Sequence, residues 1–345
     1  MEMSTGAQVM TAVGAPEEGT SATAVTRILP ERLGARWLAE QNLLGAMCRH
    51  ATAAGGKLFR PVLLLESAMA VGGRIEQVLP AALGTESGHV ASLVHDDIID
   101  NDMLRRGRPT VHAQFGADNA IVAGDALLFD LFLCLAECRQ TGARDDRIVA
   151  ALEVAARAGL DLCRGQSLEY EITESGARDL DAYLQMIALK TGALFRGACQ
   201  SGALLGGGTD AEVEAVGRYG DELGIAFQMC DDLFTYTGQN DEAIGKSVLS
   251  DIRNKRMTLP ALLAFRDADE ESRVLLERAF DSDLDPSEAL SLLSQVMVRT
   301  GAVASARTVA VHHAEAAKEA LTVLAPSAHR DRLAQYADLA VERVR

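Results

Sequence analysis

The sequence contains few aromatic residues, few prolines and far fewer basic than acidic residues. Aromatic residues make up 4% of the 345 residues, whereas hydrophobic residues make up 48%, so the core must consist mainly of Ala, Leu, Val and Ile. This composition is typical of a helix-rich protein. No proline occurs between Pro109 and Pro260. Because proline interrupts helices, this span can hold long, unbroken ones.

The shortage of basic residues gives a net charge of −16. This charge argues against general binding to nucleic acids or to anionic membranes, since both favour basic surfaces. An anionic ligand must therefore be held by a local basic cluster or by metal ions. The six cysteines are scattered, and only Cys134 and Cys138 lie close together. We interpret them as buried thiols in a reducing cytosol, with a metal site as the less favoured alternative.

No segment predicts export or a membrane span. The most apolar stretch, "AIVAGDALLFDLFLCLAEC" (120–138), contains Asp125 and Asp130, and therefore indicates a buried helix. The N-terminus has no basic region before an apolar run, so we expect no secretion signal and a cytoplasmic location.

The pattern of apolar residues predicts one large all-α domain. Residues 1–30 lack apolar periodicity and are expected to form a disordered tail. From residue 31 to 345, apolar residues recur every three or four positions and strand-like alternation is nearly absent. We expect one helical bundle around a central cavity. Helices are predicted at about 31–50, 61–73, 77–103, 118–140, 145–172, 179–205, 210–236, 257–282 and 286–344, the last with breaks.

The first group of charged residues lies in "LVHDDIIDNDMLRRGRPTVH" (93–112). Asp96, Asp97 and Asp100 are spaced so that their carboxylates can converge at the end of one helix. A solvated acidic helix end is the alternative. The apolar lead-in "VASLV", with Ile98 and Ile99, indicates instead a buried segment. Buried carboxylates at this density need a cation, and oxygen ligands favour Mg²⁺.

A second acidic pair, Asp231 and Asp232, ends another apolar helix in "GIAFQMCDDLFTYTG". Two helices with paired carboxylates can face each other across a cavity. Because Mg²⁺ accepts few protein carboxylates and completes its shell with phosphate oxygens, the missing ligand is expected to be a diphosphate. A di-metal hydrolase would require His ligands among the aspartates, and His95 is the only candidate.

Five motifs together resemble the trans-isoprenyl diphosphate synthases, including enzymes that make geranylgeranyl diphosphate. These motifs occur in the family's order: "GGKLFRP" (55–61), "LVHDDIIDNDMLRRGRPTVH" (93–112), "LKTGALF" (189–195), "FQMCDDLFTYTG" (227–238) and "IGKSVLSDIRNKRMTLP" (244–260). The resemblance covers about residues 40–265. It implies an isoprenoid synthase-like fold, a homodimer and a head-to-tail prenyltransferase that condenses isopentenyl diphosphate with an allylic diphosphate.

The resemblance also implies roles for individual residues. About three Mg²⁺ ions are expected to bind the allylic diphosphate; the implied metal ligands are Asp96, Asp97, Asp100, Asp231 and Asp232. The same diphosphate would be clamped by Arg105, Lys190 and Lys246. Isopentenyl diphosphate would bind without metal to Lys57, Arg60, His89 and Arg106. Backbone carbonyls near Lys190 and Thr191, together with the Gln228 amide, would stabilise the carbocation.

Small residues precede the first aspartates. Steps of four back from Asp96 reach Ser92, Gly88 and Gly84, with Ala91 beside Ser92. By resemblance, the absence of an aromatic residue at Ala91 and Ser92 predicts a product of C20 or longer, with geranylgeranyl diphosphate the leading expectation. Close helix packing is the alternative for these small residues. Phe129 and Phe132 could instead form the floor of a tunnel.

Three positions depart from the family pattern. Thr235 stands where a third aspartate is usual, Lys255 where glycine is usual and Arg256 where lysine is usual. Two alternative functions stay open: a terpene cyclase on the same scaffold and, suggested only by Thr235, a non-catalytic subunit of a heteromeric synthase. The isopentenyl residues argue against the cyclase, and the complete first motif argues against the non-catalytic subunit.

Overall fold

The computed structural model describes residues 27–53, 55–56, 58–236, 250–280 and 284–342. Nearly all of this part of the chain is helical, which confirms the predicted all-α fold. Its helices are α1 (Leu29–Arg36), α2 (Leu43–Thr52), α3 (Phe59–Ala70), α4 (Ile75–Ile99), α5 (Val111–Phe115), α6 (Ala117–Glu137), α7 (Asp145–Ser175), α8 (Leu180–Ile187), α9 (Ala193–Gly206), α10 (Asp210–Phe234), α11 (Ser250–Arg253), α12 (Leu259–Asp267), α13 (Glu270–Ala279), α14 (Pro286–Thr300), α15 (Ala302–Ala320) and α16 (Ala328–Glu342).

Three short elements complete this description. A π-helical turn (Ala188–Gly192) joins α8 to α9, and a 3-10 turn (Leu321–Val323) follows α15. Strands β1 (Leu104–Arg105) and β2 (Arg108–Pro109) form an antiparallel hairpin that the sequence analysis did not predict.

The predicted elements are largely found, with differences at their ends. The expected helix 31–50 is divided into α1 and α2, because the chain turns before Asn42, whose side chain caps α2 by accepting from the Gly45 amide at 3.0 Å. The first described helix begins at Leu29, slightly before the predicted start of the domain. Most of the predicted disordered tail, residues 1–26, lies outside the described residues.

Helices α4 and α6 pack closely because glycine replaces a side chain at their contact. A Cβ atom added to Gly84 would lie 2.6 Å from the Cβ atom of Cys134, and one added to Gly124 would lie 2.2 Å from Nε2 of His95. Such distances are too short for real side chains, so larger residues would force the helices apart. This contact fixes the direction of α4, whose C-terminal turn carries the first aspartates.

Helix α6 is apolar and long enough to cross a membrane by length and composition alone. One of its faces packs on α4, while Ile121, Phe129 and Leu133 on the other face are 48%, 66% and 61% exposed. The predicted buried helix is therefore buried on one side only.

Helices α4 and α10 place the two acidic motifs. Each has 25 residues and ends at its aspartates. Helix α10 starts with a capping box, in which the Thr209 hydroxyl accepts from the Glu212 amide and the Glu212 carboxylate accepts from the Thr209 amide. Its buried face contains Tyr219, whose hydroxyl donates to the Leu333 carbonyl at 2.7 Å and ties α10 to α16.

Candidate active site

The first aspartates form the C-terminal end of α4. Asp96 and Asp97 lie in its last turn, and Asp100 follows as the C-cap, its amide donating to the Asp96 carbonyl at 2.8 Å. Adjacent residues of a helix point about 100° apart, whereas residues four apart point in similar directions. Asp96 and Asp100 therefore lie about 40° apart around the helix axis, and Asp97 and Asp100 about 60° apart.

Asp97 is directed toward an arginine. Asp97 is 3% exposed. Its carboxylate accepts a hydrogen bond from Nε of Arg105 at 2.7 Å, and the same carboxylate lies 2.6 Å from Nη2 of that side chain. Burial raises the pKa of Asp97, and Arg105 opposes that rise. The Asp97 carboxylate is thus paired with Arg105, and the convergence of all three carboxylates on one ligand stays a prediction. A metal-binding role for Asp97 stays a prediction.

The hairpin after α4 brings its arginines back to the aspartates. Arg106 and Gly107, at the tip between β1 and β2, both have positive φ angles, of 52° and 71°. This geometry suits a tight two-residue turn between antiparallel strands. It places Arg105 against Asp97 and Arg106 near Glu86 of α4, whose charge acts on the Arg106 guanidinium.

Basic side chains from other helices surround Asp96 and Asp100. Arg256 donates to Asp100 at 2.5 Å. Burial is the largest influence on the pKa of Asp96 and raises it; the Lys190 charge lowers the same pKa, whereas Asp100 raises it further. Positive charge near Asp96 therefore stabilises its ionised form.

Glu169, in the C-terminal part of α7, was not predicted from the sequence. Its carboxylate accepts from Nζ of Lys190 at 2.6 Å and lies 3.6 Å from Nη2 of Arg256. Burial tends to raise the pKa of Glu169, yet the two cations hold it below its ordinary value. A possible sequence signal for this residue is Gly165, one turn earlier, where the missing side chain lets the Lys190 backbone approach α7. A Cβ atom at Gly165 would lie 2.3 Å from the backbone nitrogen of Lys190.

The second acidic pair lies at the end of α10, and its two members have different surroundings. Asp232 is 6% exposed, and its oxygens accept hydrogen bonds from the Tyr183 hydroxyl, the Gln228 amide and the Leu259 backbone. Burial raises the pKa of Asp232 to about 6 despite these donors. Asp231 is half-buried, and its charge acts on Arg60. The two members of the pair therefore have different surroundings, and metal binding by both stays a prediction.

Asp96 and Asp231 lie near one shared group. Burial lowers the pKa of Arg60 to about 10, and the charges of Glu86, Asp231 and Asp96 oppose that change. The charges of both aspartates thus act on the same guanidinium. That the two acidic helix ends face one shared cavity stays a prediction.

A second cluster near these aspartates contains buried polar atoms without partners. Nε of Arg60, Nδ1 of His89 and Oε2 of Glu86 make no hydrogen bond. A Cβ atom on Gly56 would lie 3.0 Å from Oε1 of Glu86 and 3.2 Å from Nη1 of Arg106, so these two side chains meet beside the same backbone. Unpaired buried polar atoms are costly, and a bound anion would satisfy the basic ones. Glu86 was not predicted.

Arg60 and His89 are held in fixed surroundings. The Arg60 guanidinium stacks on the Phe195 ring, 4.6 Å from its centroid. Burial, followed by the charges of Arg60 and Arg106, holds the pKa of His89 well below its ordinary value, which favours neutral imidazole. Lys57 and Lys246, the remaining predicted basic residues, lie outside the described residues.

The π-helical turn brings Lys190 and Thr191 to the site. Gly192, within the turn, packs closely on α10: a Cβ atom on Gly224 would lie 2.7 Å from the Gly192 Cα atom. The Thr191 hydroxyl donates to Oε1 of Gln228 at 2.8 Å. Single π-helical turns inside helices are frequent at functional sites, because they direct side chains that a regular helix would turn away.

Carboxylate oxygens at the site fit a hard divalent cation, but the described residues do not form a complete cage. Among the residues that the structure describes, no group of three His, Cys, Asp or Glu side chains is arranged to hold an ion. Mg²⁺ commonly uses one or two carboxylates and takes its other ligands from water and phosphate oxygens. Asp96, Asp100 and Asp231 suit that arrangement, since α4 and α10 each supply carboxylates without completing a shell.

The small residues of α4 do not form one continuous strip. A step of four residues rotates by about 40° beyond a full turn, so Gly88 and Gly84 lie progressively farther from the Asp96 direction. They face α6, where a Cβ atom on Gly88 would lie 3.0 Å from the Leu131 side chain. These contacts favour close helix packing for the two glycines, and a chain-length role for Gly88 stays a prediction.

The other proposed chain-length residues have different surroundings. Ala91 is 3% exposed and belongs to a core cluster with Met47 and Leu127. Ser92 is half-buried, and its hydroxyl donates to the His89 carbonyl at 2.8 Å. Phe129 is 66% exposed, which argues against its forming a tunnel floor within one chain.

The departures from the family pattern lie at the end of α10 and after α11. Thr235 is buried at the C-cap of α10. Lys255 has a φ angle of 50°, a left-handed conformation that suits glycine better. Arg256 keeps a basic group at Asp100.

Comparison with known proteins agrees with this arrangement. The family model described as Polyprenyl synthetase matches residues 41–296. This chain belongs to the polyprenyl synthetase family. Membership confirms the prenyltransferase class that the motifs predicted.

Individual relatives show the same similarity over most of the chain. A short chain isoprenyl diphosphate synthase from Methanothermobacter thermautotrophicus is 37% identical over 85% of this chain and 88% of the relative. Geranylgeranyl pyrophosphate synthetase from Pyrococcus horikoshii has 30% identity and a TM-score of 0.85, covering 97% of this chain and 98% of the other.

A further similar protein has been solved together with bound ligands. The polyprenyl synthase from Caulobacter crescentus has 28% identity and a TM-score of 0.84, with coverage of 96% of this chain and 99% of the other. That protein was crystallised with calcium and isoprenyl diphosphate.

Proposed function

We propose that this chain condenses isopentenyl diphosphate with an allylic diphosphate and releases a product of C20 or longer, with geranylgeranyl diphosphate as the leading product. One observation carries the proposal: an acidic region and a basic region lie side by side and share Arg60. The acidic region contains Asp96 and Asp231, whereas the basic one contains unpaired buried atoms of Arg60 and His89. Two adjacent anion sites of different chemistry suit a reaction with two diphosphate substrates.

The residues divide the work between the substrates. Asp96, Asp100 and Asp231 would hold Mg²⁺ ions, which would neutralise charge on the departing allylic diphosphate. Arg105 and Lys190 bind that diphosphate from the opposite side and lose their present carboxylate partners in doing so. Guanidinium groups suit the second diphosphate, which Arg60 and Arg106 orient together with His89.

The reacting carbon atoms need orientation and electrostatic stabilisation. Ionisation of the allylic substrate leaves a carbocation, and oxygen atoms of Thr191 and Gln228 stabilise it. The double bond of isopentenyl diphosphate attacks this cation, and the released diphosphate removes the proton. No protein nucleophile is required.

The products of one incubation test this function. Purified protein is mixed with Mg²⁺, isopentenyl diphosphate and, in separate reactions, dimethylallyl, geranyl or farnesyl diphosphate, and the products are sized. Elongation to a C20 or longer diphosphate is expected, and chelation of Mg²⁺ should abolish it. A hydrocarbon product would indicate the cyclase, and the absence of any product would indicate the non-catalytic subunit.

The exposed face of α6 supports assembly into a homodimer, which we propose to be cytoplasmic. Ile121, Phe129 and Leu133 recur at helical spacing and expose large apolar side chains. Contiguous apolar patches of this kind mark interaction surfaces, and a second copy provides a matching one. The protein should elute as a dimer in light-scattering chromatography, and Phe129→Glu should convert it to monomer. An unchanged dimer in that variant would place the interface elsewhere.

A further inference from the structure

Asp232 lies beside the predicted metal ligands but is enclosed by hydrogen-bond donors. Oδ1 accepts from Nε2 of Gln228 at 3.0 Å, and Oδ2 accepts from the Tyr183 hydroxyl at 2.8 Å and the Leu259 amide at 3.0 Å. We propose that Asp232 is a positioning residue, which fixes the direction of the Gln228 amide at the site of carbocation formation. This inference rests on the proposed function and assigns Asp232 a role different from metal ligation.

The donors around Asp232 leave its carboxylate little access to a cation. They come from α8, from α10 itself and from the start of α12, and Asp232 is only 6% exposed. A Mg²⁺ ion would need a carboxylate oxygen within about 2.0–2.1 Å, with room for its remaining octahedral ligands.

The carboxylate determines which end of the Gln228 amide faces it. All three partners of Asp232 donate, so its oxygens act only as acceptors. The amide group nearest to Asp232 must therefore be the NH₂ group. The carbonyl oxygen is then forced to the other side, where the Thr191 hydroxyl donates to it at 2.8 Å.

A chain of oriented dipoles follows from this arrangement. The Thr191 hydrogen is used by Gln228, which leaves the lone pairs of the Thr191 oxygen for other contacts. Thr191 follows Lys190, whose charge acts on Asp96, and Gln228 lies one helical turn before Asp231 and Asp232. A carbocation formed between the acidic helix ends would thus meet oxygen lone pairs instead of N–H groups. Preorganised dipoles of this sign stabilise positive charge without reorganisation during the reaction.

Asp232→Asn tests this role, because it reverses the amide. The introduced carboxamide can accept from Tyr183 and Leu259 through its oxygen, so its NH₂ group faces Gln228. Gln228 must then turn its carbonyl toward position 232 and its NH₂ group toward Thr191. We expect kcat to fall by about 10²-fold, the loss found when one well-directed electrostatic group is removed. The KM values and the Mg²⁺ concentration for half-maximal rate should stay unchanged.

A second substitution, at Gln228, should again place an acceptor oxygen opposite the Thr191 hydroxyl. In the double variant Asp232→Asn with Gln228→Glu, one glutamate oxygen accepts from the introduced amide and the other accepts from the Thr191 hydroxyl. Most of the lost kcat should therefore return. Tyr183→Phe is the matched control: it removes another hydrogen bond to Asp232 but leaves the Gln228 contact. This control should lower the melting temperature and leave kcat unchanged.

Two results would overturn the proposal. If Asp232→Asn raises the Mg²⁺ requirement and excess Mg²⁺ restores kcat, Asp232 is a metal ligand. If the double variant folds but does not regain kcat over Asp232→Asn, the orientation of Gln228 is not what Asp232 provides.

Melting temperatures separate this inference from the proposed function. Gln228→Glu alone places two carboxylates together and should lower the melting temperature, as should Asp232→Asn alone, while the double variant should melt near the wild-type value. Strictly additive losses would refute the hydrogen-bond chain even if the wild-type protein shows no elongation. An absence of wild-type elongation accompanied by the expected rescue would refute only the proposed function.

Discussion

The two acidic motifs look alike in the sequence, yet they are held in different ways. In both pairs, Asp96 with Asp97 and Asp231 with Asp232, the second residue is turned into a fixed contact. Asp97 meets a charged guanidinium of Arg105, whereas Asp232 meets only neutral donors. Because adjacent helical residues diverge by about 100°, a pair of neighbouring aspartates supplies one residue to the ligand side and one to the supporting structure.

The surroundings of the two pairs differ in a second respect. Around the first pair, Arg256 and Lys190 are bound to carboxylates and could exchange those partners for a diphosphate. Around the second pair, Tyr183 and the Leu259 amide hold Asp232 without any mobile charge. The basic residues around the first motif can therefore change from carboxylate partners to a diphosphate, whereas the hydrogen bonds around the second motif hold Asp232 in a fixed position.

Replacing the ligand-side aspartates should give the largest effect. Asp96→Asn or Asp231→Asn removes a metal-binding charge worth several kcal/mol, which corresponds to a loss of about 10³-fold or more in kcat. Circular dichroism should show an intact fold. Asp210→Asn, an exposed change at the other end of α10, serves as the control for the loss of one negative charge. Undiminished turnover in either site variant would contradict the assignment of that residue.

The charged contact of the first motif can be examined through Arg105. Arg105→Ala should abolish turnover and leave Asp97 as a buried, unpaired charge, which costs about 3 kcal/mol of unfolding free energy. Denaturant unfolding measures this cost. Adding Asp97→Asn should recover much of the stability but not the turnover. Recovery of both would mean that Arg105 only holds Asp97 and does not bind diphosphate.

A third comparison concerns the face of α4 on which a small residue lies. Ser92→Phe should shorten the product, because Ser92 is about 40° from the direction of Asp96. Gly88→Ala should instead lower stability by about 1 kcal/mol and keep the product length, because its added methyl group meets Leu131 in the contact with α6. Ala91→Phe should mainly destabilise the core cluster around Ala91. Unchanged product length in Ser92→Phe would show that this position is not part of a tunnel.

Features that depend on local periodicity could be predicted from the sequence. Helices α4 and α10 follow from apolar spacing and from the family motifs. Which aspartate of each pair binds a ligand follows from partners far away in the chain, such as Tyr183 for Asp232 and Arg105 for Asp97. Periodicity does not identify those partners.

Two other features depend on tertiary contacts. Glu169 has an ordinary position in a long helix, and it becomes part of the site only because Gly165 allows Lys190 to approach. The π-helical turn at Ala188–Gly192 follows from the packing of α10 on Gly192. A sequence pattern of period 3.6 predicts continuous helix in both places.

The smallest expected effect concerns the connection that places Arg256 at Asp100. Lys255 adopts a φ angle of 50°, which costs an L-residue about 1–2 kcal/mol relative to the right-handed region, although glycine also loses more entropy on folding. Lys255→Gly should therefore raise the unfolding free energy by up to about 1 kcal/mol and keep turnover, since Arg256 retains its contact with Asp100. Lys255→Ala is the control: it removes the same charge, keeps the backbone strain and should not stabilise the protein. Equal stability in the glycine and alanine variants would show that the lysine charge, and not the left-handed backbone, sets the stability of this connection.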